Sequence, residues 1–150
     1  MGCDTIEQYV RILSSLWRLN RAFQPGCYAA YGFTVHKDGI LLHEEAGKLP
    51  YGPLYSNNSS EFYSFYKAVE HVLPLIVKGD RFFARGDSQL VVNVMRKKWG
   101  AKDEKIYYPC YVLANNVLKE VYKRGIPVSI DWVPRSKNSK ADELSKYNRK

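Results

Sequence analysis

Three acidic residues stand beside short polar runs. Glu61 follows Ser56-Asn57-Asn58-Ser59-Ser60, Asp87 follows Arg85-Gly86, and Asp142 follows Lys140-Ala141. They lie 26 and 55 residues apart (61 to 87, 87 to 142). Convergent carboxylates are what a hard cation such as Mg²⁺ requires. Two such ions about 4 Å apart activate a water and stabilise the leaving oxygen in phosphodiester cleavage. Each acid also has an ordinary structural use. Asn58 and Glu61 have the spacing of a capping box, with Asn58 as N-cap. Asp87 stands where an N-cap Asp is common, and Asp142 would complement the macrodipole in the first turn of a last helix.

The elements that must position these acids are legible from periodicity. Tyr28 to Val35 is rich in Tyr, Phe, Thr and Val, and the turn Lys37-Asp38-Gly39 leads into Ile40 to Leu42, which together predict a β-hairpin. Phe62, Phe65, Tyr66, Val69, Val72 and Leu73 recur at helical spacing, giving a helix over Ser59–Leu73 that ends before Pro74. Arg81–Arg85 reads as a strand, and Leu90, Val91, Val94 and Met95 as a helical stripe. A longer helix runs from near Tyr107 towards Gly125, Val128–Val133 is a further strand, and Ala141–Tyr147 a short final helix. This alternation predicts an α/β class with a mixed sheet. All three acids then fall at element ends, where α/β folds gather their chemistry. The N-terminal stretch is ambiguous: Ile6, Tyr9, Val10, Leu13, Leu16 and Trp17 have the spacing of an amphipathic helix.

The chain has 150 residues, 45% apolar and 25% charged, the size and mix of one domain with a single core. Cys3, Cys27 and Cys110 are odd in number and widely spaced, which suggests neither a disulfide framework nor a zinc site and is expected of an intracellular protein. The sequence contains neither a membrane-length apolar run nor a secretory signal pattern. Lys and Arg number 23 against 15 Asp and Glu, and the net charge of +8 favours a polyanionic partner. Arg96-Lys97-Lys98 and the segment Arg135 to Lys140 concentrate that charge. His36, His43 and His71 fall about the hairpin and within the first long helix, where structural or solvent-facing roles are expected.

Ser56 to Glu61, Gly86-Asp87-Ser88-Gln89-Leu90-Val91, and Asp131-Trp132-Val133-Pro134-Arg135 through Lys140 to Ser145 resemble, in order, three signature blocks of type 1 ribonuclease H, closest to its compact archaeal-type members. The likeness covers about residues 24 to 147, with Tyr28 to Gly47 similar to the family's second and third strands. It implies one ribonuclease H-like domain over residues 1–150, a five-stranded mixed sheet flanked by helices. The implied activity is metal-dependent hydrolysis of the RNA strand of RNA/DNA hybrids. Glu61, Asp87 and Asp142 match three of the family's four metal-binding carboxylates, which hold two Mg²⁺ or Mn²⁺ ions. Asn57 and Asn58 match an Asn pair that meets the hybrid in its minor groove, where the 2′-OH groups are displayed. Ser88 and Gln89 take the place where the family touches the nucleic-acid backbone, and Arg135 or Lys137 stands ready to hold a phosphate. The implied partner is an RNA/DNA hybrid or double-stranded RNA; neither a membrane nor a protein partner is implied.

The chain departs from that pattern twice. The loop Arg135 to Ser139 contains no His, and the family's first-strand Asp is missing. Counting back from Gln24-Pro25-Gly26 lands on Trp17 or Arg18; Asn20 and Asp4 are near but lie in no matching motif. Residues 1–24 therefore form a divergent or atypical segment. A strand within Gln8–Leu19 is still expected, because neighbouring strands would otherwise leave buried N–H and C=O groups unpaired. Three readings are open: a ribonuclease H-like endonuclease, a catalytically degenerate nucleic-acid-binding domain of the same fold, and a related integrase or exonuclease core.

Overall fold

The computed structural model describes residues 7–16, 29–37, 40–49 and 57–134. The helical spacing near the N-terminus does not decide its conformation. Glu7–Leu16 is a strand, β1, at the centre of a five-stranded sheet; with β2 (Ala29–Lys37), β3 (Ile40–Lys48), β4 (Arg81–Gly86) and β5 (Val128–Trp132) the order is β3-β2-β1-β4-β5. β2 pairs antiparallel with β1 from Leu16↔Ala29 to Gln8↔Lys37, while β4 pairs parallel from Glu7↔Arg81 to Ile12↔Gly86. Hydrogen bonding on both edges satisfies the backbone of β1 and of its neighbours, and this tertiary pairing outweighs a local periodic signal. Apolar runs in central strands are also poorly separable from helices by spacing alone.

β3 completes the hairpin at one edge and β5 pairs parallel with β4 at the other. Both hairpin strands extend beyond their most apolar segments, because pairing carries the ladder to Ala30↔Lys48.

Helix α1 (Asn57–Val72) lies on β1 and β2 and against α3 (Tyr108–Lys123), while the short α2 (Gln89–Met95) meets β4 and β5. Its buried stripe of Phe62, Phe65, Val69 and Val72 meets Phe33 and Val35 of β2, Phe82 and Ala84 of β4, and Leu118 and Val121 of α3 in one core. Gly125, at φ 72, follows α3 and its N–H donates to the Tyr122 carbonyl, a conformation in which a Cβ is costly. Among the described residues no helix is long and apolar enough to cross a membrane. The proposed final helix Ala141–Tyr147 lies outside the described residues.

Candidate active site

α1 begins at Asn57, so Asn58 is already helical and Glu61 falls in the second turn. The expected capping box around Asn58 is therefore not the one formed: a residue with helical φ/ψ is past the N-cap position. The expectation for Asp87 is corrected in the same way. Ser88 is the N-cap of α2, extended at φ −99 and ψ 113, and its Oγ accepts a hydrogen bond from Val91 N at 3.2 Å. Asp87 is the residue before the cap.

The strand end carrying Asp87 is held from the β5 side. Val133 N donates to the Gly86 carbonyl at 2.8 Å, and the Trp132 indole donates to the Asp87 carbonyl at 3.2 Å. Glu61, from α1, and Gly86 and Ser88, from the β4–α2 junction, line one small cavity of about 10 Å³, which is room for about one water-sized centre. Its other walls are apolar: Phe65, Ala84, Val91 and Ile130. Glu61 Oε2 and Asp87 Oδ2 are both shielded from water. Glu61 thus offers a carboxylate to a space with low-dielectric walls, and Asp87 stands in the chain between two of its lining residues, Gly86 and Ser88; carboxylate oxygens are the donors that a small divalent cation takes.

β1 supplies no acid at this point. Its one acidic residue, Glu7, is in register with Arg81 at the opposite end of β4. At the Asp87 end of β4 the last pair is Ile12↔Gly86.

A wider groove of about 480 Å³ is lined by Asn58, Leu90, Trp99, Lys102, Lys105 and Tyr107. It shares the beginnings of α1 and α2 with the cavity. Tyr107 shapes it: its ring stacks on Phe62 at 5.0 Å and its hydroxyl accepts from Lys102 N at 3.1 Å. Trp99 is 49% exposed, which leaves an indole face available beside two ammonium groups. Sequence reasoning stopped at Arg96-Lys97-Lys98 and missed this combination, although a Trp flanked by lysines was the available signal. Lys97 itself is committed elsewhere. At φ 64 it turns back to α3, where its Nζ donates to Asn115 Oδ1 at 2.6 Å and to Tyr111 Oη at 3.3 Å.

Of the remaining sequence candidates, Gln89 is exposed at the start of α2, and its carbonyl accepts from Asn93 Nδ2 at 2.8 Å. Asn57 opens α1. Asp142, Arg135 and Lys137 lie outside the described residues.

No family model matches the chain. Its structure is similar to that of RNase H1 from the halophilic archaeon Halobacterium salinarum, with TM-score 0.70 and 23% identity over 97% of each chain. It is also similar to the N-terminal RNase H domain of a Mycobacterium tuberculosis protein, with TM-score 0.69 and 22% identity over 95% of this chain and 96% of that one. LC11-RNase H1 from compost, in complex with an RNA/DNA hybrid, matches with TM-score 0.67 and 21% identity over 93% and 92% of the two chains. At these identities the likeness is one of fold, and the fold is the α/β ribonuclease H-like fold.

Proposed function

We propose that this chain is a divalent-metal-dependent endonuclease that hydrolyses the RNA strand of RNA/DNA hybrids. The observation that carries this is the shared cavity: Glu61 of α1 lines one space with Gly86 and Ser88, the two neighbours of Asp87, in a ribonuclease H-like fold whose α1 and α2 also line a groove with two lysines and an exposed Trp. In this reading Glu61, Asp87 and Asp142 hold Mg²⁺ or Mn²⁺. Bound there, two such cations supply Lewis-acid stabilisation of the attacking and leaving oxygens.

The chain's own residues do the rest. Asn57 and Asn58 meet the minor groove, where the 2′-OH distinguishes RNA from DNA. The Ser88–Gln89 helix start, with Arg135 and Lys137, positions the phosphate backbone. Lys102 and Lys105 add electrostatic attraction, and Trp99 offers a stacking or sugar-packing face. The complex of LC11-RNase H1 with an RNA/DNA hybrid supports the choice of ligand. Double-stranded RNA, which displays the same 2′-OH groups, is the competing substrate.

A second reading, a hybrid-binding domain without cleavage, is favoured by one observation. β1 brings no acid to the Asp87 end of β4: the last pair there is Ile12↔Gly86, and its one acid, Glu7, pairs with Arg81 at the other end. The deciding experiment is cleavage of a labelled RNA/DNA hybrid with ample Mg²⁺ or Mn²⁺, run with Asp87→Asn as control. Cleavage by the parent and not by the variant supports the nuclease. Binding without cleavage by the folded parent replaces it with the binding domain, and absence of both overturns the two together.

A further inference from the structure

The tertiary fold assembles a second group of ligating side chains from histidines that the sequence leaves unconnected. His43 and Glu45 stand two positions apart on β3, and therefore on one side of the strand. Just before them the register shifts: Val35 pairs with His43 and His36 with Leu41, leaving Leu42 as an extra residue. Such a bulge re-aims the side chains that follow it. The last turn of α1 brings His71 against them. The His43 and His71 rings stack with centroids 3.8 Å apart and planes 10° from parallel, and His43 Nε2 lies 3.0 Å from Glu45 Oε1. One ligating atom from each residue lies within 4.8 Å of the other two, and all three residues are half-buried.

We propose that His43, Glu45 and His71 form a transition-metal site, suited by donor chemistry to Zn²⁺, that clamps the end of α1 to the edge strand β3. Two imidazoles and one carboxylate are a recurrent zinc donor set, whereas Mg²⁺ and Mn²⁺ favour oxygen ligands. Zn–N bonds of about 2.0–2.1 Å place tetrahedral ligands about 3.3 Å apart. The donor atoms already lie within 4.8 Å of one another, so ligation requires only side-chain rotations of these half-buried residues. The other carboxylate oxygen of Glu45 accepts the Tyr31 hydroxyl at 2.6 Å, the kind of outer hydrogen bond that orients a ligating carboxylate. The neighbouring cation is already matched, since Lys67 Nζ lies 3.1 Å from Glu70 Oε1. Beside Glu45 and His71 opens a groove of about 320 Å³, which leaves the fourth coordination position to water or a small anionic solute. His71 is ten residues beyond Glu61, about 15 Å along the helix, so this site is separate from the carboxylate cavity.

The test uses the full chain, untagged and stripped of metal with a chelator, titrated with ZnCl₂ by calorimetry and with Co²⁺ by visible absorption. The expected result is a zinc event of about one equivalent with tetrahedral cobalt bands, and a zinc-dependent rise in melting temperature. His71→Gln and Glu45→Gln each weaken it at least ~100-fold. Tyr31→Phe weakens it ~10-fold, as loss of an outer-shell partner does. Asp87→Asn leaves it unchanged, which separates it from metal held at the carboxylate cavity. Circular dichroism checks each fold, and Glu45→Gln decides the outcome if His71→Gln does not fold. A parent that gives no zinc event, or an event indifferent to the ligand substitutions, overturns the site and leaves the proposed nuclease untouched.

Discussion

Asp87 and Ser88 are adjacent in sequence, yet they are expected to fail in opposite ways, because the structure gives the cap to Ser88 and the proposed nuclease gives Asp87 the metal-ligating role. Ser88→Ala removes the 3.2 Å bond from Val91 N at the first turn of α2. Loss of an N-cap costs about 1 kcal/mol, which in a domain of this length lowers the melting temperature by roughly 3 °C. Asp87→Asn removes no cap. The Trp132 indole bond goes to the backbone carbonyl of Asp87 and survives the substitution. Without metal its stability should stay within about 0.5 kcal/mol of the parent, because Asn keeps the size of the side chain and an oxygen acceptor while leaving the backbone bonds of the β4–α2 junction in place.

Divalent metal reverses the ranking. At about 100 times its dissociation constant, a cation bound only to the folded state stabilises it by about 2.7 kcal/mol, or roughly 8 °C. Ser88→Ala should keep that rise and Asp87→Asn should lose most of it. In the hybrid assay Asp87→Asn should bind without cutting, whereas Ser88→Ala should cut at temperatures below its lowered melting point. Differential scanning fluorimetry with and without Mn²⁺, beside filter binding of the hybrid and gel-resolved cleavage, reads all four quantities. Metal-free Asp87→Asn melting as low as Ser88→Ala, or cutting as fast as the parent, would refute the assignment.

Alanine at Lys102 and Lys105 should weaken hybrid binding without regard to sequence and flatten the dependence of log affinity on log salt by roughly one per lost phosphate contact; filter binding across a salt series checks this, and an unchanged slope removes the groove from the interface. Lys97→Ala should instead act on stability, through its lost bonds to Asn115 and Tyr111, with little change in that slope. Gly47→Ala would place a Cβ 2.7 Å from Cε1 and Oη of Tyr31, so the ring must shift off its Glu45 partner; the expected loss is about 1–3 kcal/mol, read as a melting temperature roughly 3–10 °C lower. Burial pushes the Cys110 thiol up to about 12, so almost no thiolate exists at pH 8. Peptide mapping after maleimide treatment should find Cys110 unlabelled in the folded chain and labelled in denaturant, and fast labelling of the native state would contradict its burial.

Where a single element's periodicity carries the information, the sequence alone was enough. The apolar stripe of α1 from Phe62 to Val72, the long helix ending before Gly125, and the hairpin around Lys37 to Ile40 all follow from the 3.6- and 2-residue repeats and their turn residues. The order of Glu61 and Asp87 at the elements they occupy was legible for the same reason.

Relations between elements were decided only by tertiary structure. Tyr9, Val10, Leu13 and Leu16 have helical spacing, but β2 and β4 impose a strand by pairing with both edges of this segment. The choice of Ser88 over Asp87 as cap depends on a one-residue difference in where α2 starts, below the resolution of a sequence pattern. The groove that unites Asn58 with Trp99, Lys102 and Lys105, and the meeting of His43, Glu45 and His71, join residues from segments far apart in the chain. Local spacing determines which face a residue occupies on its own helix or strand. Sheet order and helix packing determine which faces meet, and those are set by burial and backbone pairing summed over the whole domain.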